Sequence, residues 1–198
     1  MENETPKKKN HLLIFALFAI VAWVAGSFAF TYYYPHLMYN ALEKSVTGKG
    51  LTPAGVPVNT LYAVPQLASP SMTKSNVLID GTNHDTLYVI GVLDLSKGAQ
   101  LLHVPDMGDR YYSIEFVDSS NGTDFAYVGS RTTGTTTADY LITGSSWKGT
   151  VPQGMTQISS PSNSVLLIGR VLVESDSDLS TAYGLGKQIQ LTPLSSEK

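Results

Sequence analysis

An uninterrupted apolar run near the amino terminus constrains this chain more than any other feature of its sequence. Residues Leu12 to Phe30 form 19 consecutive positions without a charged side chain. As a helix rising about 1.5 Å per residue, they would span roughly 28 Å, close to the thickness of the hydrocarbon core of a bilayer. A buried helix of a soluble domain would normally carry a polar stripe, and this run has none. The run therefore predicts a transmembrane anchor, which we assign to residues 12–34.

The charges that flank the run predict its orientation. Three lysines at 7–9 directly precede it, whereas the next Lys or Arg is Lys44. Because cytoplasmic flanks are enriched in Lys and Arg, residues 1–11 are predicted to form a basic cytoplasmic head. The rest of the chain is then expected in the periplasm, held at a bacterial inner membrane by a single pass. A cleaved signal peptide is the alternative, with Ser27-Phe28-Ala29 as its cleavage site, although the run is longer than such segments usually are.

Composition narrows the chemistry that the exported part can perform. The chain has no cysteine, which excludes disulfides, a thiol nucleophile, an iron–sulfur cluster and a thiolate zinc site. Its net charge of −3 argues against a nucleic-acid partner, which would require a basic face. Charged residues make up only 15% of the chain, against roughly 25% in typical soluble domains.

Short apolar runs and turn residues predict the architecture beyond the anchor. Residues 35–57 contain three prolines and three glycines and are predicted to form a short helical extension, Leu37–Val46, followed by a flexible linker. Over residues 58–194, runs of strand length alternate with turn signals every 8–12 residues or so, which is typical of a β-sandwich or barrel. A short helix is predicted near Asp176–Gln190, capped by a residue of 175–177, and residues 195–198 form a tail. The predicted strands are Asn59–Val64, Val77–Asp80, Thr86–Leu95, Gln100–Val104, Arg110–Asp118, Asp124–Gly129, Asp139–Thr143, Met155–Ser159 and Val165–Val173.

The turns between these runs carry a series of recognisable motifs in a fixed order. They are Asn83-His84-Asp85-Thr86-Leu87-Tyr88, Leu93-Asp94-Leu95-Ser96-Lys97-Gly98, Val104-Pro105-Asp106, Gly108-Asp109-Arg110-Tyr111-Tyr112, Asp118, Gly129-Ser130-Arg131-Thr132-Thr133-Gly134-Thr135, Trp147-Lys148-Gly149, Pro152-Gln153-Gly154, Ser160-Pro161-Ser162-Asn163, Gly169-Arg170 and Leu191-Thr192-Pro193-Leu194. Together they resemble the domain of unknown function 1254 family, from about Val58 to Leu194.

The resemblance implies a fold and a location but no chemistry. Members of this family adopt an all-β, immunoglobulin-like antiparallel β-sandwich, and they are mainly bacterial and associated with the cell envelope. The domain is commonly followed by a jelly-roll domain, domain of unknown function 1214. Because this chain stops at Lys198, we expect that companion to be supplied by a separate polypeptide. The biochemical activity of the family is unsettled.

All three arginines of the chain, Arg110, Arg131 and Arg170, lie within these motifs. Arginine is the residue suited to bidentate recognition of carboxylate or phosphate, so one interpretation places them around an anion site. The alternative, which we favour, is that each pairs with a nearby carboxylate and fixes a loop. The carboxylates considered for that pairing are Asp85, Asp94, Asp109 and Asp118.

The candidate ligand or partner pocket consists of seven residues drawn from the motifs. They are Asp85, Tyr88, Arg110, Tyr111, Asp118, Arg131 and Trp147. Trp147, in a Gly/Ser-rich loop, would either stack on a sugar or peptide or close one end of the sandwich.

Neither a cofactor nor a metal site is predicted. Asn83-His84-Asp85, and His103 with Asp106 and Asp109, offer nitrogen and oxygen ligands but lack the spacing of a known metal site. A G-x-S-x-G nucleophile elbow is also missing. The first hypothesis is therefore a membrane-anchored, non-catalytic binding or assembly module that pairs with a separate jelly-roll protein. The alternative is an envelope hydrolase with a pocket of Asp, Tyr and Arg.

Overall fold

The structure is a computed structural model that describes residues 7–67 and 83–194, with side chains described from residue 11 onward. The predicted strand Val77–Asp80 lies outside the described residues. The elements, in chain order, are α1 Lys7–Thr47, β1 Tyr62–Ala63, β2 Thr86–Asp94, β3 Gln100–Val104, β4 Tyr112–Asp118, β5 Thr123–Gly129, β6 Ala138–Thr143, β7 Thr156–Ser159, β8 Ser164–Leu172, a 3₁₀ turn Asp176–Asp178, α2 Leu179–Gln188 and β9 Gln190–Pro193.

Helix α1 is a single unbroken helix of 41 residues. Every described side chain before Pro35 is exposed, and this is a helix long and apolar enough to cross a membrane. Pro35 lies inside the helix, so the predicted anchor and the predicted extension Leu37–Val46 are parts of one element rather than two. The segment that follows packs onto the helix end instead of hanging free, because Val56 is buried and donates its backbone N–H to the Val46 carbonyl at 3.0 Å.

The strands form two sheets. The five-stranded sheet has the order β1-β2-β8-β4-β5, and all its pairs are antiparallel. The four-stranded sheet has the order β7-β6-β3-β9, in which β6 and β7 run parallel, a departure from the predicted all-antiparallel arrangement. Alternate residues of both sheets meet in one core, which includes Leu87, Tyr112 and Phe116 from the first sheet and Leu102 and Ile142 from the second. A mostly β protein with a short carboxyl-terminal helix is thereby confirmed.

The five-stranded sheet is also packed on its outer face, where a second apolar cluster forms. Ile90, Val92, Val117 and Leu166 project away from the main core and meet the end of α1 at Val46, which is fully buried. Since successive residues of a strand point to opposite faces, this second layer explains why β4 is buried on both sides at its carboxyl end. Helix α1 and the sheet therefore share a core.

Each strand predicted within the described residues is found, with its ends shifted by a few residues. Of the first predicted strand, Asn59–Val64, only Tyr62–Ala63 forms a strand. Strand β9 was not predicted. Gln190 was predicted to end the last helix, and no element was predicted for residues 191–193, but α2 ends at Gln188 and the chain then pairs with β3. Ser175 caps the 3₁₀ turn in an extended conformation and makes no side-chain capping hydrogen bond.

Candidate functional site

On the outer face of the five-stranded sheet, residues paired across β2, β8 and β4 form rows, and the chemistry of these rows divides the face into two halves. One row, Val92–Leu166–Val117, lies under the end of α1. Two residues further along each strand, the row becomes Ile90, Ile168 and Glu115. Beyond it lie Tyr88, Arg170 and Ser113, followed by the strand ends that carry Tyr111 and Arg131. We call the part under α1 the covered half and the part from Tyr88 to Arg131 the open half.

The open half contains a shallow depression of about 650 Å³. It brings together four of the seven candidate residues, Asp85, Tyr88, Tyr111 and Arg131, and it adds Arg170, which sequence reasoning had assigned to internal pairing. The remaining lining residues are Asn83, Thr86 and Leu172.

Hydrogen bonds made by the Asn83 side chain and by the Asp85 backbone fix the position of Asp85 at the start of β2. The side chain of Asn83 accepts hydrogen bonds from the Thr86 N–H at 3.1 Å and the Thr86 hydroxyl at 2.8 Å, and it donates to the Thr86 carbonyl at 3.1 Å. The Asp85 carbonyl accepts the N–H of Val173 at 2.7 Å, which ties the loop to the end of β8. The Asp85 carboxylate is left at the rim of the depression, in an exposed residue.

A tight turn after β5 places Arg131 beside Tyr111. The Gly129 carbonyl accepts the N–H groups of Thr132 and Thr133 at 3.0 and 2.9 Å. The Ser130 hydroxyl accepts the N–H of Tyr112 at 3.0 Å, which fastens the turn to the start of β4. The position of Arg131 is thus set by the sheet rather than by a free loop.

Each arginine of the depression lies over a tyrosine ring. The guanidinium carbon of Arg131 is 5.3 Å from the centre of the Tyr111 ring, and that of Arg170 is 5.7 Å from the centre of the Tyr88 ring. Both distances are within the range of a cation–π interaction. A cation–π contact places the positive charge against the ring and requires no oxygen acceptor for the guanidinium N–H groups.

Arg170 also contacts a cluster of acidic and phenolic groups at the border with the covered half. Its Nη1 lies 3.5 Å from Glu115 Oε2, and the Tyr127 hydroxyl lies 3.1 Å from Glu115 and 2.7 Å from Asp124. Burial, together with the neighbouring Asp124 carboxylate, raises the pKa of Glu115 above its ordinary value. The hydrogen bond to Asp124 raises the pKa of Tyr127, which keeps the phenol protonated.

Arg110 does not line the depression, because its guanidinium group forms hydrogen bonds within the fold. Its Nη1 and Nη2 donate to the two carboxylate oxygens of Asp178 at 2.5 and 2.8 Å, and Nη1 also donates to the Leu172 carbonyl at 2.6 Å. The hydrogen bond from Arg110 lowers the pKa of Asp178 to about 2. Internal pairing was the favoured interpretation for this arginine, but the partner lies 68 residues away and was not among the four carboxylates considered.

Asp118 is likewise a structural residue, buried at the end of β4. Its carboxylate accepts the N–H of Ser120 at 2.9 Å and the hydroxyl of Ser162 at 2.6 Å, which joins two neighbouring loops. Burial alone would raise the pKa of Asp118, but the hydrogen bonds from Ser162 and Ser120 outweigh it, and the net effect is a lowered pKa.

Trp147 and His103 also lie away from the depression. The Trp147 ring folds back onto Gly149 in its own loop, at a position where a Cβ on the glycine would overlap it. His103 Nδ1 is 2.7 Å from Asp139 across the β3–β6 pair, on partly exposed strands. Over residues 7–67 and 83–194, His, Asp and Glu side chains nowhere gather in a group of three suited to a metal ion.

Comparison with solved structures supports the fold. The crystal structure of the VPA0106 protein from Vibrio parahaemolyticus matches with a TM-score of 0.65 and 24% identity, over 84% of this chain and 37% of that one. An uncharacterized protein from Burkholderia cenocepacia gives a TM-score of 0.38 and 13% identity, over 58% of this chain and 31% of that one. This chain therefore spans about a third of the length of each of these two structures. No curated protein sequence matches it.

The family profile described as a protein of unknown function (DUF1254) matches residues 58–193. The match begins just before β1 and ends at the last residue of β9, so it includes both sheets and the whole open half. The chain belongs to the DUF1254 family.

Proposed function

We propose that the protein is a non-catalytic binding or assembly module of the bacterial cell envelope, with an immunoglobulin-like β-sandwich in the periplasm and α1 as its inner-membrane anchor. One observation carries this proposal: α1 changes character along its length. Its described side chains up to residue 34 are exposed and overwhelmingly apolar, whereas Leu42 and Val46 pack into the second apolar cluster. Exposed apolar surface on this scale is stable in lipid and not in water.

The orientation of the anchor is supported by the lysines at 7–9 and by Tyr32, Tyr33 and Tyr34, which suit a membrane interface. A reporter that is active only in the periplasm, fused after Lys198, is expected to be active in a bacterium. A reporter that is active only in the cytoplasm, fused at the same point, should be silent. The reverse pattern would overturn the topology, and the mass of the mature chain separates a retained anchor from a cleaved signal peptide.

The absence of catalysis is supported by the way in which candidate side chains are engaged. Arg110 and Asp118 hold the fold together, as their short hydrogen bonds to Asp178 and Ser162 indicate. Thr86 is the one serine or threonine among the described residues that line the depression, and its hydroxyl donates to Asn83 rather than to a general base.

The partner that we propose is a separately encoded jelly-roll protein, which docks on the open half because α1 already occupies the covered half. Cross-linking in envelope extracts, followed by mass spectrometry, should recover a jelly-roll protein with the wild-type chain. Arg131→Glu should abolish that recovery, and Lys148→Glu, at an exposed lysine outside the depression, should leave it unchanged. Recovery of this chain alone would count against the pairing.

A hydrolase acting on envelope compounds is the second candidate, favoured by the convergence of Asp85, Tyr88, Tyr111 and Arg131 in one depression. It requires the purified full chain to hydrolyse ester or amide substrates. Asp85→Asn should then abolish turnover, whereas Asp109→Asn, at an exposed aspartate outside the depression, should retain it. Absence of turnover from a broad ester and amide panel would favour the module.

A further inference from the structure

We infer that the depression in the open half is a binding site for a carboxylate or phosphate group carried by a small ligand, with Arg131 and Arg170 as the two anion-binding residues. This goes beyond the anchored module, and it concerns the chain on its own, before a partner covers the open half. Three features carry it: free hydrogen-bonding capacity, restraint of each guanidinium by a tyrosine ring, and the charge of the lining.

The first feature is that the two guanidinium groups make little use of their donors. Each has five N–H groups. Arg170 commits one of them to Glu115, at 3.5 Å, the limit of a hydrogen bond. Among the described residues, Arg131 donates to no protein acceptor and has no carboxylate within ion-pair distance. Arg110 differs sharply, since it makes three hydrogen bonds of 2.5–2.8 Å.

The second feature is that a tyrosine ring restrains each guanidinium. Arg131 over Tyr111 and Arg170 over Tyr88 each lie within cation–π distance of a ring that is itself partly buried in the sheet surface. A restrained arginine loses less conformational entropy when it binds a carboxylate or phosphate in bidentate fashion. The two residues line the same concave surface, so a ligand held in the depression can reach both.

The third feature is the balance of charge around the depression. Its lining contains two arginines and one carboxylate, that of Asp85. Because Asp85 in the lining and Glu115 beside Arg170 offset part of the positive charge, the site favours a ligand with a single anionic group over a polyanion. Asp85 at the rim would accept a hydrogen bond from a hydroxyl or amine of the same ligand.

The test uses the fact that the chain has three arginines in all. In ¹⁵N-labelled full chain in detergent micelles, each arginine gives one Nε–Hε signal. Titration with benzoate, and separately with inorganic phosphate, at constant ionic strength should shift the Arg131 and Arg170 signals and leave that of Arg110 unchanged. The better of the two probes identifies whether carboxylate or phosphate is preferred.

Matched variants make the result decisive. Arg131→Gln and Arg170→Gln should each weaken the affinity for the better probe at least about tenfold, as expected for loss of a charge-assisted hydrogen bond. Lys148→Gln, which removes the same charge outside the depression, should leave the affinity unchanged. The inference is overturned by the absence of any shift with both probes, or by equal weakening in Lys148→Gln.

Discussion

The covered and open halves of one sheet face are built from the same strands and yet have opposite chemistry. Along β2 the outward residues are Val92 and Ile90 under α1, and then Tyr88 beyond it; along β8 they are Leu166 and then Arg170. The change occurs where α1 ceases to cover the sheet. Aliphatic side chains are favoured where a helix removes them from water, whereas tyrosine and arginine are stable half-exposed. The pattern therefore distinguishes the part of the face that the fold itself buries from the part that it leaves open.

The largest expected effect comes from placing a charge in the covered half. Val46→Asp should lower the free energy of unfolding by at least about 3 kcal/mol, because it buries an unpaired carboxylate in an apolar cluster. Urea denaturation of the detergent-solubilised full chain measures it. Ala41→Asp is the matched control, since it introduces the same charge on the same helix at an exposed position. Equal destabilisation by the two variants would mean that α1 is not packed on the sheet.

The second-largest expected effect on stability distinguishes Arg110, which is paired within the fold, from Arg131 in the open half. Arg110→Gln should lower the free energy of unfolding by more than Arg131→Gln does, since it leaves Asp178 without its bidentate partner. Arg131→Gln should cost less than about 0.5 kcal/mol, because the residue is exposed. The same urea measurements decide the matter, and a comparable loss for both variants would show that Arg131 is also structural.

The Arg110–Asp178 pair also predicts an acid-dependent loss of stability. The pKa of Asp178 in the folded protein is about 2, below the ordinary value of 3.8. Its contribution is therefore complete above that ordinary value and is lost as the pH falls from about 4 towards 2. In Arg110→Gln this part of the pH dependence should disappear. An unchanged acid profile in the variant would contradict the assignment.

Gly122 tests the contact between α1 and the turn joining β4 to β5. The residue has φ of +74°, and a Cβ there would overlap the ring of Tyr39. Gly134 has φ of +87° with open space around it, so Gly134→Ala measures the backbone cost alone, about 1–2 kcal/mol. Gly122→Ala should lower the free energy of unfolding by about 1–3 kcal/mol more than Gly134→Ala does, because it also displaces a packed ring. Equal costs would show that Tyr39 does not pack against this turn.

The smallest effect on stability is expected for Glu115, at the border between the covered half and the open half. The pKa of Glu115 is raised, so its ionised form is less favourable in the folded protein, and stability falls as the pH rises from the ordinary value of 4.5. Glu115→Gln removes that loss and should be up to about 0.5 kcal/mol more stable than wild type at pH 7, with no such gain at pH 4. Denaturation curves at the two pH values provide the comparison, and a destabilised variant at pH 7 would contradict it.

Much of the fold could be predicted from the sequence, because strands that alternate or run apolar between Gly, Asn and Asp turns leave few alternatives. The alternation of Tyr112, Ile114 and Phe116 along β4 predicts that these side chains share one face, and all three lie in the main core. The prediction was incomplete where tertiary contacts override local signals. Pro35 suggests a helix boundary, but α1 continues through it, and Gln190–Pro193 lacks a strand pattern and becomes β9 only by pairing with β3.

The candidate site was harder to predict, because its geometry depends on contacts distant in the sequence. Arg110 and Arg131 occur in similar motifs, yet one pairs with Asp178 and the other stacks on Tyr111. Nothing near Arg110 in the sequence identifies Asp178 as its partner. The position of Arg170 could have been predicted from the sequence. It lies on the same side of β8 as Leu166 and Ile168, which places it on the outer face.

The central claim is that one helix is both lipid-exposed and packed on the sandwich, and the cysteine-free chain allows a direct test. Single variants Leu17→Cys, Ala41→Cys and Val46→Cys would be treated with a membrane-impermeant maleimide in cells whose outer membrane is permeabilised. The account predicts that position 41 labels at once, position 17 only after detergent, and position 46 only after urea unfolds the domain. Labelling of position 17 without detergent, or of position 46 as readily as position 41, would contradict it.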